Sequence, residues 1–582
     1  MVTSPARIAG TMNSFFINKV RLLRDRIPAS AEDPLKKLKE AMFGKQCSLT
    51  LQPVTPEAVS KVIAGLKNSK STGNDYIDTR IIKLAGQSIL PAITHIINLS
   101  ISHSKFPDIW KIAKVVPLLK KGDPLEPKNY RPVALLPVLS KILERAIFNQ
   151  LVQYLTNYDL LNPHHHGSRQ GHNTATALLQ MYDQWLAEVE DGKMVGVMLI
   201  DLSAAFDMVD HNLLLKKLEL FGFDNGAVGW IQSYLSKRYQ SVCVDGCNSP
   251  PLAVEYGVPQ GSILGPLLYI LFTNDIPELV HDHQLGQPCD DCGCTVCYVD
   301  DTTYSYGDTD PTSLSENLTQ QYKKISNYMA ANNLVINADK THLVVMGTKH
   351  TAARRDEVTL QADQHVIQPS VTEKLLGGVI CEDLKWKEHL LKSEQSLIKQ
   401  LTSRINGLNL VASRAPLGTR LMVANGIVMS KLCYLIQLWG GCEEYLLHSL
   451  QVLQNRAARA VTRKSWFTPT RVLLASCNWL SVKQLVVYQT LLTTHRTVST
   501  GHPKYLSDRL DRDHPYQTRQ ATDGSIRFGE DFSGKQAITH SSFRYRAARD
   551  YNRIPAKIRT AKTIQTFKCK LRQWVSSNIP VT

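Results

Sequence analysis

The nine residues from Met194 to Leu202 (MVGVMLIDL) are apolar except for Asp201. A run so short and continuous predicts a strand buried on both faces. Closing it on a carboxylate is costly unless a compensating charge waits there. About a hundred residues later, Thr295 to Tyr304 (TVCYVDDTTY) predicts two short strands around an acidic turn bearing Asp300 and Asp301. If these strands are neighbours in one sheet, three carboxylates converge, and bound cations such as Mg²⁺ relieve their repulsion. A two-metal phosphoryl-transfer site is built in this way. Taken alone, an Asp-Asp pair is more often a turn or cap.

At 582 residues the chain exceeds one compact core. Residues 1–54 read as an extension containing a helical stretch from Met12 to Arg26. A second unit opens at Thr55, an N-cap followed by Pro56 and Glu57, with Val59, Val62, Ile63 and Leu66 on one helical face. Lys114 to Lys121 (KVVPLLKK), Gly122, Asp123 and then Asn129 to Pro132 predict a strand, a turn and an extended, cation-rich segment facing phosphate. Pro266 to Phe272 (PLLYILF) predicts a helix with proline at its first position. The strand-bearing region runs over 55–385, a mainly helical one over 386–480, and a basic one over 481–582. In the helical part Leu446, Leu450, Leu453, Ala457 and Ala460 form one stripe and Arg456, Arg459 and Arg463 a second, so one face packs and the other faces out.

Hydrophobic residues make up 43% and charged residues 20% of the chain, which excludes wholesale disorder, collagen and coiled coil. The net charge is +16, unevenly placed. Residues 391–582 hold 29 basic and 10 acidic side chains, against 38 and 41 in the rest. Such asymmetry suits a C-terminal part that grips a polyanion, with nucleic acid the natural partner; a solvated basic surface is the bland alternative. Basic, aromatic-interleaved stretches such as Ser542 to Arg549 (SFRYRAAR) suit stacking on single strands. With no run of 18 apolar residues and no secretory leader pattern, an intracellular protein with no membrane partner is expected, its 12 scattered cysteines as thiols. Cys289, Cys292, Cys294 and Cys297 could offer four thiolates to zinc, but Cys297 lies in a predicted strand and the central pair has one intervening residue, so zinc is not expected. His164 to His166 read as a polar loop.

The order of these segments resembles a known family. Tyr298-Val299-Asp300-Asp301 resembles the active-site box of reverse transcriptases, and Asp201 to Asp207 (DLSAAFD) the box before it. Between them, Gly257 to Ser262 (GVPQGS) and Leu264-Gly265-Pro266 resemble a third. Asn129 to Pro132 (NYRP), the Asp210-His211 pair, Asn337 to Thr341 (NADKT) and Leu376 to Trp386 resemble the jockey-like polymerases of non-LTR, LINE-type retrotransposons. Any one box is weak, and their order and spacing together are specific.

The resemblance implies an α+β right-hand polymerase, with fingers, an antiparallel palm sheet and a thumb, copying an RNA template into DNA from dNTPs on a DNA primer at a target DNA. It implies two Mg²⁺ ions, or Mn²⁺, held by Asp201, the Leu202 carbonyl, Asp300 and Asp301. Phe206 matches the steric gate against a ribose 2′-hydroxyl, although an aromatic after a strand is otherwise most often core. Gln260 and Gly261 match the loop supporting nucleotide and template, and Lys120 and Arg131 are candidates for the triphosphate. Lys340 matches a lysine that protonates departing pyrophosphate, and Arg169, Arg456, Arg459 and Arg463 would contact nucleic acid. Ser168 departs from an aromatic, Asn74-Asp75-Tyr76 from Pro-Asp-Gly, Cys381 from an acid and Tyr551 from a tryptophan, all leaving the carboxylates intact. Full-length relatives carry an upstream endonuclease, which the short stretch before the polymerase region cannot hold, so a truncated copy is expected. The expected location is intracellular, nuclear at least transiently and cytoplasmic when bound to element RNA. The rivals are an inactive nucleic-acid-binding remnant and an RNA-dependent RNA polymerase.

Overall fold

The computed structural model describes residues 4–28, 30, 32–280, 293–508, 510, 526 and 542–581. Its strands are β1 (Ile112–Leu119), β2 (Tyr130–Leu135), β3 (Met194–Ile200), β4 (Arg238–Val244), β5 (Cys247–Asn248), β6 (Leu252–Val254), β7 (Cys294–Tyr298), β8 (Asp301–Asp308), β9 (His342–Met346), β10 (Leu360–Ala362), β11 (His365–Ile367), β12 (Thr372–Leu375) and β13 (Gly378–Cys381). Helices fill most of the remainder, so the class is α+β, as expected. Two compact units divide the chain, neither continuous in sequence. Unit 1 comprises Met1–Ser168, Ile200–Thr302 and Gln320–Thr341, and unit 2 comprises Arg169–Leu199, Thr303–Thr319 and His342–Thr582. One four-stranded sheet has the order β7-β8-β3-β9, and the acidic tips of β3 and of the β7–β8 hairpin fall among the residues of unit 1.

In unit 1 a second sheet runs β2-β1-β4-β5, with β6 also on β4. It is mixed. The β1–β2 hairpin is antiparallel with Leu118 opposite Arg131, whereas β1 and β4 run parallel. A parallel pair needs a crossover, here supplied by the long stretch between β2 and β4. Proline near the first position and Ser4 ahead of it start the helix Pro5–Arg24 earlier than its apolar spacing alone indicates. Ala9, Met12 and Phe16 bury one face of this helix against Ala113, Val115, Ala134 and Val242 of the sheet. The N-terminal segment is therefore core rather than appendage. Thr55 caps the helix Pro56–Gly65 through Ala58 N, as its position predicts.

Also in unit 1, a buried charge pair joins three helices. Lys217 Nζ lies 3.0 Å from Asp275 Oδ1 and donates to the Phe272 carbonyl at 2.7 Å, while Tyr328 OH donates to the same carboxylate at 2.7 Å. Burial pushes the Lys217 ammonium down, and Asp275 opposes that push. Lys217→Met leaves a buried carboxylate without its counter-charge and is expected to cost about 3–5 kcal/mol in urea unfolding, most of it recovered by adding Asp275→Leu. A double variant no more stable than the single one overturns this account.

In unit 2, β3 pairs antiparallel with β9, from Val195 opposite Met346 to Leu199 opposite His342. All seven residues of β3 are buried. Leu314 and Leu318 of the helix Pro311–Ala331 pack on it. The hairpins β10–β11 and β12–β13 lead into helices including Leu397–Ala412, Glu444–Thr462, Thr470–Cys477, Val482–Thr500, Phe543–Arg553 and Ile564–Asn578. Leu446, Leu450, Leu453 and Ala457 are buried as the stripe predicts, whereas Ala460 is half-buried. Among the described residues no single helix is long and apolar enough to cross a membrane.

His389 is 3% exposed, and its Nδ1 accepts from Val379 N at 3.3 Å. Burial, helped by the Lys431 charge, holds its pKa at about 4. The unfolded imidazole takes a proton below about pH 6.5, which the folded one refuses until about pH 4. This contribution is present above about pH 6.5 and is lost as pH falls towards 4, by at most about 3 kcal/mol. His389→Gln is expected to flatten that loss in urea titrations at about pH 7 and about pH 5. An unchanged slope rules the histidine out.

Candidate active site

After β3 the chain stays extended because a second segment pairs with it. Asn337 N donates to the Asp201 carbonyl at 2.8 Å, Leu202 bridges Ile336 antiparallel, and Ser203 N donates to the Val335 carbonyl at 2.8 Å. Ala204, with φ +52°, then turns the backbone into the short helix Ala205–Met208. The Asp201 carboxylate is thus held at a fixed strand end. Its Oδ2 lies 3.0 Å from Lys340 Nζ and 3.4 Å from Asn337 Nδ2. The Lys340 ion pair is half-exposed, so by itself it adds little stability.

The second strand end is a strained tip. Val299, between β7 and β8, has φ +60°, a costly conformation for a β-branched residue. Neighbouring backbone holds it there. Cys297 N donates to the His164 carbonyl at 2.9 Å and His166 N to the Cys297 carbonyl at 2.8 Å, so the histidine run lies parallel along β7. His165 and His166 are buried, which corrects the polar-loop reading of this run. At Gly167 a Cβ would stand 2.5 Å from Val299 Cγ2, so only glycine lets the two segments approach.

Solvent reaches Asp300 and Asp301, yet the protein around the tip desolvates both carboxylates. Desolvation first, and the Asp201 charge second, raise Asp300, while Arg131 and Lys120 pull it down. Asp301 is pushed up to about 6 by desolvation and then by Asp300 and Asp201. The three carboxylates predicted to converge therefore act on one another, and the two β1–β2 hairpin cations act on them. As the side chains stand, no three His, Cys, Asp or Glu groups among the described residues are arranged to hold a metal ion. The donor chemistry still suits a hard divalent cation, because every side-chain donor is a carboxylate and each charge disfavours the next.

Phe206 is half-buried and stacks on the ring of Tyr269, centroids 4.7 Å apart and planes 25° apart. Tyr269 is fully buried in the helix Gly265–Phe272 and lies close enough to Asp300 and Asp301 for their charges to raise its hydroxyl further. Gln260 Nε2 donates to Asp207 Oδ1 at 2.8 Å, and Val258 N donates to the Phe206 carbonyl at 2.8 Å. On the far side Ala134 N donates to the Gln260 carbonyl at 2.9 Å. Gly261 has φ +115°, with the Ala134 carbonyl 2.5 Å from where its Cβ would be. The Gln260–Gly261 turn is thus clamped between β2 and the segment carrying Phe206. Glu144 clamps the next stretch: fully buried, it accepts from Ile263 N at 2.8 Å, Leu264 N at 3.2 Å and Ser140 Oγ at 2.9 Å.

Sequence reasoning missed Glu144, Tyr269 and the bonding role of Asp207. Only Glu144 carried a signal, an acid on the apolar face of the helix Val138–Asn157. The Asp210-His211 pair serves this loop as well. Asp210 caps the following helix through Leu213 N and pairs with Arg24 at 2.8 Å, and His211 Nε2 lies 2.7 Å from the Gly257 carbonyl. A pocket of about 80 Å³ lies against the Gln260 turn, walled by Phe16 and Val20 of the first helix and by Tyr256.

The other expected site residues are placed differently. Arg169 and the stripe Arg456, Arg459 and Arg463 belong to unit 2. Arg456 and Arg459 are half-buried. Arg459 stacks on the Trp466 ring at 4.6 Å, and Arg463 donates to the Ala412 carbonyl at the end of the helix Leu397–Ala412. Arg459 and Arg463 thus each bond a backbone carbonyl of their own unit, while Arg463 stays exposed. Of the four clustered cysteines, Cys289 and Cys292 lie outside the described residues. Cys297 is buried beside Thr302, and burial pushes its thiol up to about 12, against the thiolate that zinc needs.

A family model for reverse transcriptase (RNA-dependent DNA polymerase) matches residues 118–379, which include Asp201, Phe206, Gln260, Asp300 and Asp301. Over those residues the chain is similar to reverse transcriptases. It is 28% identical over 484 residues, 82% of its length, to the probable RNA-directed DNA polymerase from transposon BS of Drosophila melanogaster. It is 29% identical over 73% of its length to the RNA-directed DNA polymerase from mobile element jockey of Drosophila funebris. It is 27% identical over 74% to the probable polymerase from transposon X-element of Drosophila melanogaster. The chain spans about half the length of these curated relatives, 50% of the first and 46% of the other two. The resemblance to jockey-like retrotransposon polymerases is borne out, and Lys340 lies beyond Asp301 within the matched reverse transcriptase domain.

Proposed function

We propose that this chain is the RNA-directed DNA polymerase of a non-LTR retrotransposon, adding dNTPs to a primer 3′-hydroxyl on an RNA template. The observation that carries this reading is that desolvation and then the neighbouring carboxylates, Asp201 among them, raise Asp300 and Asp301, while Lys120, and at Asp300 also Arg131, pull the other way. In this reading the carboxylate strand ends belong to a palm, the β1–β2 hairpin to fingers, and residues 386–480 to a thumb. Asp201, the Leu202 carbonyl, Asp300 and Asp301 would hold Mg²⁺, with Mn²⁺ as its substitute. When bound, such ions activate the attacking oxygen and neutralise the triphosphate.

The chain's own groups do the rest. Lys120 and Arg131 draw in the triphosphate. Phe206, backed by Tyr269, excludes a 2′-hydroxyl, and the clamped Gln260 turn orients the nucleotide against the template. Lys340 Nζ, next to Asp201, is placed to give a proton to departing pyrophosphate. The DNA primer and target, and a transient stay in the nucleus, follow from target-primed synthesis as part of the same proposal.

The test is primer extension on a poly(A)-tailed RNA template with Mg²⁺, comparing the protein with its Asp300→Ala variant. Extension with dNTPs that the variant lacks supports the reading. Equal extension with ribonucleotides turns it into an RNA polymerase. RNA binding without extension by either protein makes the chain a binding remnant.

A further inference from the structure

Between Glu444 and Asp508 the chain runs 63 residues with no Asp or Glu and 8 Lys or Arg. About a third of the way along this acid-free stretch, the loop between the helices Glu444–Thr462 and Thr470–Cys477 carries two adjacent aromatic rings in solvent. Trp466 is 68% exposed and Phe467 91%. Isolated exposed apolar side chains are ordinary, but two neighbouring rings this open are a costly surface unless something covers them.

The loop is held rather than slack. Arg463 ends the first helix in the left-handed conformation, φ +57°, and donates to the Ala412 carbonyl. Thr468 N donates to the Ser465 carbonyl at 3.0 Å, Phe467 N to Ser465 Oγ at 3.3 Å, and Asn455 Nδ2 to Thr470 Oγ1 at 2.9 Å. Arg459 lies over the Trp466 ring and bonds the Trp466 carbonyl at 3.0 Å, fixing that ring from behind. Lys464 reaches Ser476 Oγ at 2.8 Å, and Arg471 is exposed on the next helix. Arg459 thus lies against the Trp466 ring, and the exposed Arg463, Lys464 and Arg471 flank the two rings in sequence.

Preordered aromatic faces with cations between them match one chemistry, a polyanion with flat, unpaired bases. We propose that Trp466 and Phe467 form a stacking platform for two bases of single-stranded nucleic acid, with Lys464 and Arg471 on the flanking phosphates. A duplex cannot use this surface in the same way, because its bases are already stacked on one another. The Arg459 contact and the acid-free, basic stretch around the loop also distinguish it from an apolar protein-docking patch. The site stands on residues of unit 2 and does not depend on the polymerase assignment.

The test uses the full chain in metal-free buffer and the anisotropy of a short labelled oligouridylate at several salt concentrations. Trp466→Ala with Phe467→Ala is expected to weaken binding about 10- to 100-fold with the salt slope unchanged, since base stacking carries no counterion release. Trp466→Phe restores most of the affinity. Lys464→Gln with Arg471→Gln lowers the salt slope by about 0.7 per cation. Both rings are in solvent, so the alanine variants keep the fold, which circular dichroism checks. An abasic oligonucleotide should bind wild type and the ring variant equally weakly.

Undiminished oligouridylate binding by the ring variant overturns the proposal. So does a ring variant that keeps this affinity but loses self-association in sedimentation or binding to anionic vesicles, which would make the patch a protein or membrane surface. Asp300→Ala, which tests the polymerase reading, must retain ring-dependent binding. Failure of extension and failure of stacking are thereby told apart.

Discussion

Asp300→Ala is expected to lower the rate of dNTP incorporation by at least about 10³-fold while leaving the metal-free protein slightly more stable. The two effects have one cause. Asp300 stands at a tip where desolvation and Asp201 both disfavour its charge, so deleting it relieves a repulsion in the absence of cations. In the proposed reaction the same carboxylate would be required, because the clustering that destabilises the apo state would hold the divalent ion.

The readouts are single-turnover extension and thermal denaturation with and without Mg²⁺. Wild type should gain melting temperature with Mg²⁺, and the variant should not. The pH dependence has a definite sign. Asp301, raised to about 6, keeps a proton in the folded state that the unfolded chain has already released. The Asp301 contribution to the stability of the metal-free protein is therefore lost as pH rises from about 4 to about 6, opposite in sign to that of His389 and isolated by comparison with Asp301→Asn, while Mg²⁺ binding strengthens over the same window as that proton leaves. A variant that extends primers, or one that is destabilised in EDTA, is incompatible with this account.

Phe206→Ala is expected to raise ribonucleotide incorporation relative to deoxynucleotide by about 100-fold or more, measured as the ratio of kcat/KM values. The ring is stacked on the fully buried Tyr269 at 4.7 Å, so it cannot retreat from a 2′-hydroxyl without disturbing a packed helix. Steric exclusion is strong only when the excluding group has such a backing. Tyr269→Phe keeps the stack and removes a buried hydroxyl that has no hydrogen-bond partner among the described residues, so its discrimination should match wild type. Tyr269→Ala should lose part of the discrimination together with stability. If Phe206→Ala discriminates as wild type does, the gate reading of Phe206 fails and the ring is ordinary core.

Much of this arrangement was legible from residue order. The β3 run ending in Asp201, the β7–β8 hairpin around Asp300 and Asp301, the Thr55 cap and the helix after Pro266 all follow from short-range patterning and turn chemistry. What escaped were partnerships over long sequence separations. The burial of His165 and His166 comes from pairing with β7, about 130 residues away. The holding of Ile263 and Leu264 comes from Glu144, about 120 residues upstream. Nothing local distinguishes such histidines from a polar loop, because hydrogen-bond partners set by tertiary approach leave no periodic trace.

By itself, then, the sequence determined the chemistry available to this protein: three carboxylates on strand ends, two cations flanking a hairpin and an aromatic five residues after the first acid. Those properties are local, since strand alternation and turn preference act over a few residues. Only the tertiary structure decided which of those groups act on one another and which are taken up by the fold. It brought Lys120 and Arg131 within electrostatic reach of Asp300, and it set Arg459 against the Trp466 ring and Arg463 on the Ala412 carbonyl. The physical reason is that charges interact by distance and desolvation, and both are fixed only when segments remote in the chain pack together.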